Sequence, residues 1–207
     1  MKPTPESTTA QRNIKSVPSQ VSQSDRADLL RQAPVTVWLT GLSASGKSTL
    51  AYALERALVM RGHACYVLDG DNVRHRLSRD LGFSEEHRSE NIRRVSEVAA
   101  LMNDAGLIVI TALISPKLAD REMARDIIAS ERFLEVYLST PLQACEARDP
   151  KGLYSKARAG LIPAFTGVSA PYEPPPGADL LLDTAQTELE HCVTQVMALV
   201  QSKQIQR

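Results

Sequence analysis

Eight residues in the first quarter of the chain carry its strongest chemical signal. Residues 41–48 read GLSASGKS and fit the pattern GxxxxGK[ST], in which glycines let the main chain approach a phosphate closely. The N–H groups of residues 43–47 would surround a phosphate, and the N-terminus of the following helix would add partial positive charge. Lys47 is expected to reach the outer phosphate oxygens and Ser48 to hold Mg²⁺. A strand predicted before the motif and a helix predicted after it argue against a chance match.

Two carboxylates follow the next predicted strand. Many phosphate-binding loops work with an acid at the end of a later apolar strand, but the run at 107–114 ends in Ser115. Asp69 and Asp71 supply the acids instead, on the sheet edge where ligands of open α/β folds bind. Asp71 is predicted to take the proton of an acceptor hydroxyl, and Asp69 to position water or metal. The alternative is an Asp-Gly-Asp turn that only caps the next helix.

Arginines near this acid pair indicate a second anionic ligand. Arg74 is joined by three arginines in the segment 88–94, more than one γ-phosphate requires. Guanidinium groups suit phosphate or sulfate because their paired N–H groups match tetrahedral oxygens. Arg88, Asn91 and Arg94 fall along one side of a helix and are the preferred candidates. The alternative is that these arginines, Arg93 above all, are solvated charges paired with nearby glutamates.

Two loop phenylalanines stand out because aromatic residues make up only 4% of the chain. Phe83 lies in one predicted loop and Phe165 in another. Rings from two loops could enclose a purine, since stacking does not depend on a particular hydrogen-bond pattern. The alternative is that each ring attaches its loop to the core.

The composition excludes several other classes. Lys+Arg and Asp+Glu number 24 each among 207 residues, so no global field attracts nucleic acid or an acidic membrane. The three cysteines lie far apart, which argues against a metal site or a disulfide framework. No apolar run reaches the length of a membrane span, and the N-terminus lacks the pattern of a signal peptide. We expect a cytoplasmic protein.

Strand-like and helix-like segments alternate from residue 33 onward. Predicted strands are 35–40, 64–68, 107–114, 133–138 and 179–182. Predicted helices are 47–61, 90–105, 118–130, a short one after Pro141, and 188–200. This order predicts an α/β fold with a mostly parallel sheet and helices on both faces. Residues 149–176 lack periodicity and are interpreted as a lid loop. Residues 1–32 are interpreted as a flexible arm, which leaves 33–207 as the functional domain.

These motifs, taken together and in order, resemble the adenylyl-sulfate kinase family. The resemblance rests on GLSASGKST, LDGDNVR, GFS followed by HRSENIRRVSEVA, ISP followed by ADR, EVYLSTPLQACEARDPKGLYSKARAG, and FTGVSAPYEPP. It implies a three-layer P-loop NTPase fold and transfer of the γ-phosphate of ATP to the 3′-hydroxyl of adenylyl sulfate. The products would be 3′-phosphoadenylyl sulfate and ADP, in sulfate assimilation. It also implies Mg²⁺ and a homodimer.

The resemblance assigns roles to individual residues. The implied catalytic residues are Asp71, Lys47 and Ser115, and the implied metal-holding residues are Ser48 and Asp69. The implied ATP-binding residues are Gly41, Leu42, Ser43, Ala44, Ser45, Gly46, Lys47, Ser48, Thr49 and Arg148. The implied acceptor-binding residues are Asp71, Arg74, Phe83, Arg88, Asn91, Arg94, Ile114, Ser115, Lys151, Gly152, Leu153 and Phe165. Ser115 matches a serine often assigned as a phosphoserine intermediate, but direct transfer needs none, and we favour a ligand contact.

The chain departs from the commonest family pattern at three positions. Ala44 replaces a usual glycine, which predicts that the backbone there does not need a positive φ. Leu113 and Lys117 replace usual aromatic residues, so contacts on that edge of the acceptor site are expected to differ. Two other functions remain open: a P-loop kinase for another small molecule, and a nucleotide sensor without turnover. An uncharged acceptor would not need the arginines, and a sensor would tolerate loss of the Asp71 carboxylate.

Overall fold

The sheet and its helices follow the order expected from the sequence. The structure is a computed structural model that describes residue 15 and residues 17–205. The strands are β1 Thr36–Gly41, β2 Cys65–Asp69, β3 Ile108–Ala112, β4 Phe133–Leu138 and β5 Leu180–Leu182. The helices are α1 Gln23–Leu30, α2 Lys47–Val59, α3 Gly70–His75, α4 Glu85–Asp104, α5 Leu118–Ile128, α6 Leu142–Arg148, α7 Leu153–Arg158 and α8 Leu189–Ile205.

The five strands form one parallel sheet in the order β2-β3-β1-β4-β5. The central strands β1 and β3 are buried along their whole length, as expected for apolar strands covered on both faces. Because all strands run in the same direction, their carboxyl ends meet at one edge. The phosphate-loop motif, the acid pair and Ser115 therefore come together there, as the ligand-binding edge of such sheets requires.

Helices cover the sheet on both faces, which confirms the three-layer α/β fold. On one face, α2 and α8 bury residues such as Leu54 and Val196 against the sheet. On the other face, α4 and α5 pack around Trp38 and Phe133, whose rings stack with centroids 5.4 Å apart. Strand β1 lies at the centre of the sheet and is buried throughout, so the loop that follows it leaves from the middle of the fold.

Several boundaries differ from the sequence prediction for local reasons. Helix α4 begins five residues earlier than predicted, because the Ser84 side chain accepts a hydrogen bond from the His87 N–H and caps the helix. The lid is not entirely irregular, since α7 lies inside it.

The predicted flexible arm at 1–32 contains ordered structure in its second half. Helix α1 ends beside Gln32, which is buried and donates to the carbonyl oxygens of Ala64 and Gly106 at 2.8 Å. The arm prediction for residues 1–14 and 16 lies outside the described residues. No helix in the described part of the chain has both the length and the apolarity that a bilayer crossing demands.

Candidate functional site

One cavity of about 1340 Å³ follows the carboxyl edge of the sheet. It extends from the loop at 43–49, past the acid pair, to the lid residues around Phe165. Most of the predicted site residues line it. The exceptions are Gly41, Leu42, Ser45, Arg94 and Gly152. The volume exceeds the roughly 300–1,000 Å³ typical of a single small-ligand pocket, so the cavity has room for two nucleotides.

Main-chain carbonyls hold the Lys47 ammonium group in the phosphate loop. Its Nζ donates to the carbonyl oxygens of Gly41 at 2.9 Å and Leu42 at 2.5 Å. Lys47 is buried, and burial lowers its pKa to about 8, while the nearby Asp69 carboxylate opposes the shift. A phosphate anion would replace the carbonyl partners with full negative charge and so favour the protonated form.

If the loop binds ATP as the sequence predicts, the pKa of Lys47 makes that binding depend on pH. ATP, the donor expected from the sequence, would raise this pKa above its value in the ligand-free protein, so Lys47 would contribute fully to binding below about pH 8, and the contribution would disappear as the pH rises through the higher value. We expect affinity to fall by up to about tenfold per pH unit above 8. Calorimetry at pH 8.5 in buffers of different ionisation enthalpy should detect proton uptake on binding. Lys47→Arg, which stays charged, should remove the uptake; its absence in the original chain would contradict the assignment.

Ala44 corrects one sequence-based expectation. Its φ is +59°, the left-handed region that the alanine was expected to avoid. A Cβ in this region costs about 1–2 kcal/mol relative to glycine. The loop therefore keeps the conformation that favours glycine and carries local strain at Ala44.

Ser48 and Asp69 are neighbours in space, as predicted for a pair that holds Mg²⁺. The Ser48 hydroxyl donates to Asp69 Oδ2 at 2.6 Å, and Asp69 Oδ1 accepts from the Asp71 N–H at 3.0 Å. Asp69 is thus also the N-cap of α3, the alternative considered for this motif. Among the described residues, no group of three or more His, Cys, Asp and Glu side chains could hold a metal. One hydroxyl and one carboxylate fit Mg²⁺, which usually takes one or two protein oxygens together with substrate phosphates.

Asp71 lies in the cavity wall with its carboxylate exposed to it. Its partner is the ammonium group of Lys151, which contacts Oδ2. This ion pair joins the start of α3 to the lid across the cleft. Both side chains are mostly exposed, so the pair adds little stability and can separate when a ligand enters.

Arg74 and Arg88 lie on the acceptor side of the cavity. Arg88 donates to the Phe83 carbonyl at 2.9 Å and to the Ala164 carbonyl of the lid at 2.8 Å. Arg74 donates to the Gly82 carbonyl at 2.8 Å. Burial lowers the pKa of Arg74, and the neighbouring charge of Arg88 lowers it further. An anion between the two guanidinium groups would relieve both effects.

Arg93 and Arg94 bond to carboxylates outside the cavity wall. Arg93 pairs with Glu90 and Glu97 on α4, which is the solvated-face alternative considered for it. Arg94 does not line the cavity; it donates to both oxygens of Asp80, at 2.7 and 2.8 Å, and to Glu90. These hydrogen bonds raise the pKa of Arg94. The structure does not bring Arg94 to the acceptor site, and a direct ligand contact there remains only a prediction.

The two predicted aromatic rings line the same cavity in different surroundings. Phe83 is 70% exposed, with the Arg74 guanidinium 4.5 Å from its ring centroid. Phe165 is buried and packs edge-on against Tyr154 at 5.1 Å. Phe165 therefore also attaches the lid to a small core of its own. Nearby Asn91 is buried and its Oδ1 has no hydrogen-bond partner in the described structure, so an acceptor atom is available beside the cavity.

Ser115 lines the cavity, and its hydroxyl is hydrogen-bonded within the protein. The residue is buried. Its Oγ donates to Thr40 Oγ1 at 3.0 Å and accepts from the Trp38 indole N–H at 3.1 Å. The hydroxyl proton is engaged with Thr40 and one oxygen lone pair with Trp38, so the oxygen is not poised as a free nucleophile.

The sequence analysis missed part of the wall near the phosphate loop. Thr184, Thr187 and Leu189 line the cavity after β5. Thr184 donates to the Ser45 carbonyl at 2.9 Å, and Arg148 donates to the Thr184 carbonyl at 2.7 Å. Their position directly after β5 could have identified them, because the carboxyl ends of all the parallel strands lie at the edge where the ligand binds.

Both the sequence and the fold match known proteins. A family model described as adenylylsulphate kinase matches residues 33–183. The adenylyl-sulfate kinase of Shewanella pealeana is 58% identical over 180 residues, which cover 87% of this chain and 86% of that relative. The chain belongs to the adenylyl-sulfate kinase family. This membership confirms both the resemblance and the predicted class of phosphotransferase.

Solved structures of adenylyl-sulfate kinases have the same fold. The APS kinase of Mycobacterium tuberculosis, solved in complex with AMPPNP and APS, is 48% identical with a TM-score of 0.79. The match covers 82% of this chain and 99% of that one. A hexameric APS kinase from Thiobacillus denitrificans is 31% identical with a TM-score of 0.64, over 88% of this chain and 31% of that one.

Proposed function

We propose that this chain transfers the γ-phosphate of ATP to the 3′-hydroxyl of adenylyl sulfate, giving 3′-phosphoadenylyl sulfate and ADP. The observation that supports it best is a single cavity with a phosphate loop at one end and two guanidinium groups at the other. Asp71 lines the same cavity, and its charge acts on both Lys47 and Arg74. The M. tuberculosis relative was solved with an ATP analogue and APS together, which agrees with a cavity of this size.

Asp71 is the proposed base. As the 3′-oxygen bonds to the γ-phosphorus, its proton passes to the Asp71 carboxylate and the bond to the β–γ bridging oxygen breaks. Lys47 offsets the negative charge that collects on that leaving oxygen. Lys151 must release Asp71 first, and it is then free to follow the transferring phosphate. The lid, closed over both nucleotides, excludes water that would otherwise hydrolyse ATP.

Mg²⁺ is the proposed metal, held by Ser48 directly and by Asp69 directly or through water. When bound, Mg²⁺ would neutralise charge on the β- and γ-phosphates. The short contact between Ser48 and Asp69 supports this assignment because both oxygens already converge on one place.

Ser115 is proposed to shape the acceptor site and not to carry a phosphate. Its buried, doubly hydrogen-bonded hydroxyl supports direct transfer from ATP. Incubation with [γ-³²P]ATP without acceptor, followed by denaturing electrophoresis, should leave the protein unlabelled. Stoichiometric labelling at Ser115 would overturn this assignment.

A coupled ADP-release assay tests the whole proposal. Adenylyl sulfate should support turnover, whereas AMP, adenosine and shikimate should not. Preference for a sugar or another uncharged acceptor would favour a different small-molecule kinase. ATP binding without turnover on any acceptor would favour a sensor.

Arg88→Ala is expected to weaken acceptor binding selectively. Loss of a charge-assisted hydrogen bond to the phosphosulfate group should raise KM for adenylyl sulfate about tenfold to a hundredfold. KM for ATP should change by less than about threefold, since the phosphate loop is untouched. Arg93→Ala is the matched control, because Arg93 lies on the same helix but pairs with Glu90 and Glu97. Equal effects of Arg88→Ala on both substrates would place the acceptor elsewhere.

The proposed setting is the cytoplasm, and the proposed assembly is a homodimer. Both rest on the family, and neither nucleic acid nor membrane is a proposed partner. The hexameric T. denitrificans relative is a much longer chain, of which this one matches 31%. Sedimentation of the full chain at micromolar concentration would distinguish monomer, dimer and hexamer.

A further inference from the structure

Arg121 on α5 is a buried cation outside the cavity wall. Its side chain is 2% exposed, and that of its partner Glu135 on β4 is 8% exposed. Removing a guanidinium group from water is costly unless every donor is satisfied. The acceptors that Arg121 uses therefore show what it holds in place.

The Arg121 guanidinium joins three separate parts of the chain. Nε donates to Glu135 Oε1 at 2.8 Å. Nη1 donates to the Ser115 carbonyl at 2.6 Å, and Nη2 to the Glu173 carbonyl at 2.6 Å. Only the first contact is an ion pair with the core; the other two are with loops, one at the acceptor end of the cavity and the other at the far end of the lid.

Further bonds connect these two loops beside Arg121. The Glu173 N–H donates to the Pro116 carbonyl at 2.8 Å, and Glu173 Oε2 accepts from the Leu118 N–H at 2.7 Å. The Tyr172 hydroxyl is hydrogen-bonded with Thr40 Oγ1 at 2.9 Å. We call this group of contacts around residues 115–118, 121 and 172–173 the lid-base cluster. It attaches the C-terminal end of the lid to the loop that follows β3.

The backbone at Ser115 needs such support. Its φ is +39°, and a non-glycine residue in this region persists only where its surroundings fix it. Arg121 holds the carbonyl of this residue, while Thr40 and Trp38 hold its hydroxyl. The strained loop lines the cavity through Ile114, Ser115 and Pro116.

A purely stabilising role explains the arrangement less well. Buried ion pairs often contribute no more stability than apolar residues of the same volume. Glu135 has a second cation, Arg125, at 3.2 Å. Nη1 and Nη2 of Arg121 make no bond to Glu135; they donate to the Ser115 and Glu173 carbonyls instead.

We propose that Arg121 is a positioning residue that sets the acceptor-side loop and the base of the lid in one geometry. It does not touch the reacting atoms. The inference deepens the proposed function and rests on it for the identity of the acceptor. Arg121 bonds the loop at Ser115 but no residue of the phosphate loop. We therefore expect its substitution to affect binding of adenylyl sulfate and not of ATP.

Arg121→Lys tests the proposal because it keeps the charge beside Glu135 and loses the planar fork. KM for adenylyl sulfate should rise about tenfold or more, as expected when a bound substrate is misplaced by a fraction of an ångström. KM for ATP should stay within about twofold. Arg125→Lys is the matched control, because Arg125 pairs with the same glutamate but bonds neither loop. A lower melting temperature with an unchanged ratio of the two KM values would overturn the proposal.

Hydrogen exchange of the ligand-free protein separates this inference from the proposed function. The amides of residues 115, 117, 118, 172 and 173 should exchange faster in Arg121→Lys than in Arg125→Lys. Unchanged exchange would overturn the proposal whatever the acceptor proves to be, whereas lack of turnover by the original chain would overturn only the proposed function. Should Arg121→Lys not fold, Glu173→Ala, an exposed site in the same cluster, should raise KM for adenylyl sulfate at least about threefold. No increase would count against the cluster.

Discussion

Asp71→Asn should lower turnover of adenylyl sulfate by about a hundredfold or more, the usual scale for loss of a positioned base. The amide matches the carboxylate in size but cannot accept the proton of the 3′-hydroxyl. ATP binding should remain within about threefold, because the hydrogen bonds that hold Lys47 in the phosphate loop go to Gly41, Leu42 and Ser45 and not to Asp71. Single-turnover kinetics with ATP bound in advance would measure the chemical step directly.

Asp80→Asn is the control for this experiment. Asp80 is an exposed carboxylate that also pairs with a cation, Arg94, but it lies outside the cavity wall. Its loss should leave turnover nearly unchanged. Undiminished turnover in Asp71→Asn would remove Asp71 from the mechanism. If the protein were a nucleotide sensor, neither the original chain nor either variant would show turnover.

The buried strands could be predicted from sequence because their pattern depends on burial alone. Predicted and observed bounds coincide for β4, Phe133–Leu138, and differ by a residue or two at most ends of the other strands. Helix α4 shows what such patterns miss. Its apolar spacing becomes clear only after Glu90, but its true start is set by the Ser84 cap, a polar signal that carries no periodicity.

The part of the site that lies directly at strand ends could also be predicted. Asp69 ends β2, Lys47, Ser48 and Asp71 come shortly after strand ends, and the topology of a parallel sheet brings them together. Arg94 could not be assigned in this way. Its helix position fits the cavity as well as that of Arg88, but Asp80 supplies a carboxylate from a separate loop, and sequence spacing gives no means of pairing them.

The lid-base cluster was inaccessible for a related reason. Its bonds to Glu173 connect residues more than fifty positions apart, and three of its acceptors, on Ser115, Pro116 and Glu173, are main-chain carbonyls. Since every residue has a carbonyl group, side-chain chemistry in the sequence does not mark it as an acceptor. These contacts can be identified only from the fold, which determines which carbonyl groups lie within reach of Arg121.

Gly41→Ala is expected to disrupt the phosphate loop, because the added methyl group would make the shortest contact found at any described glycine. Gly41 ends β1 with a φ of +145°, and a Cβ there would lie 2.6 Å from the Leu138 carbonyl oxygen and 3.0 Å from Ser45 Oγ. The first contact is with the main chain of the neighbouring strand, which cannot rotate away. Separating β1 from β4 should cost about 3 kcal/mol or more, which lowers the melting temperature by roughly 6–12 °C for a chain of this size.

ATP binding should fall further than this loss of stability alone requires. The Gly41 carbonyl is one of the groups that hold Lys47, so displacement of the strand end also moves the lysine and the first amides of the loop. We expect at least about a tenfold loss of ATP affinity at a temperature where the variant is folded. Isothermal titration calorimetry and thermal unfolding would measure the two effects separately.

Gly62→Ala distinguishes the clash from backbone strain. Gly62 also has a positive φ, +82°, but a Cβ there meets nothing within 4 Å. It should therefore cost only the conformational penalty of about 1–2 kcal/mol and leave ATP affinity unchanged. If both variants lost the same stability and neither lost ATP affinity, the close contact with the Leu138 carbonyl would not be the reason that residue 41 must be glycine. A larger loss at Gly41, with weaker ATP binding, would show that contact between β1 and β4 sets the position of the phosphate loop.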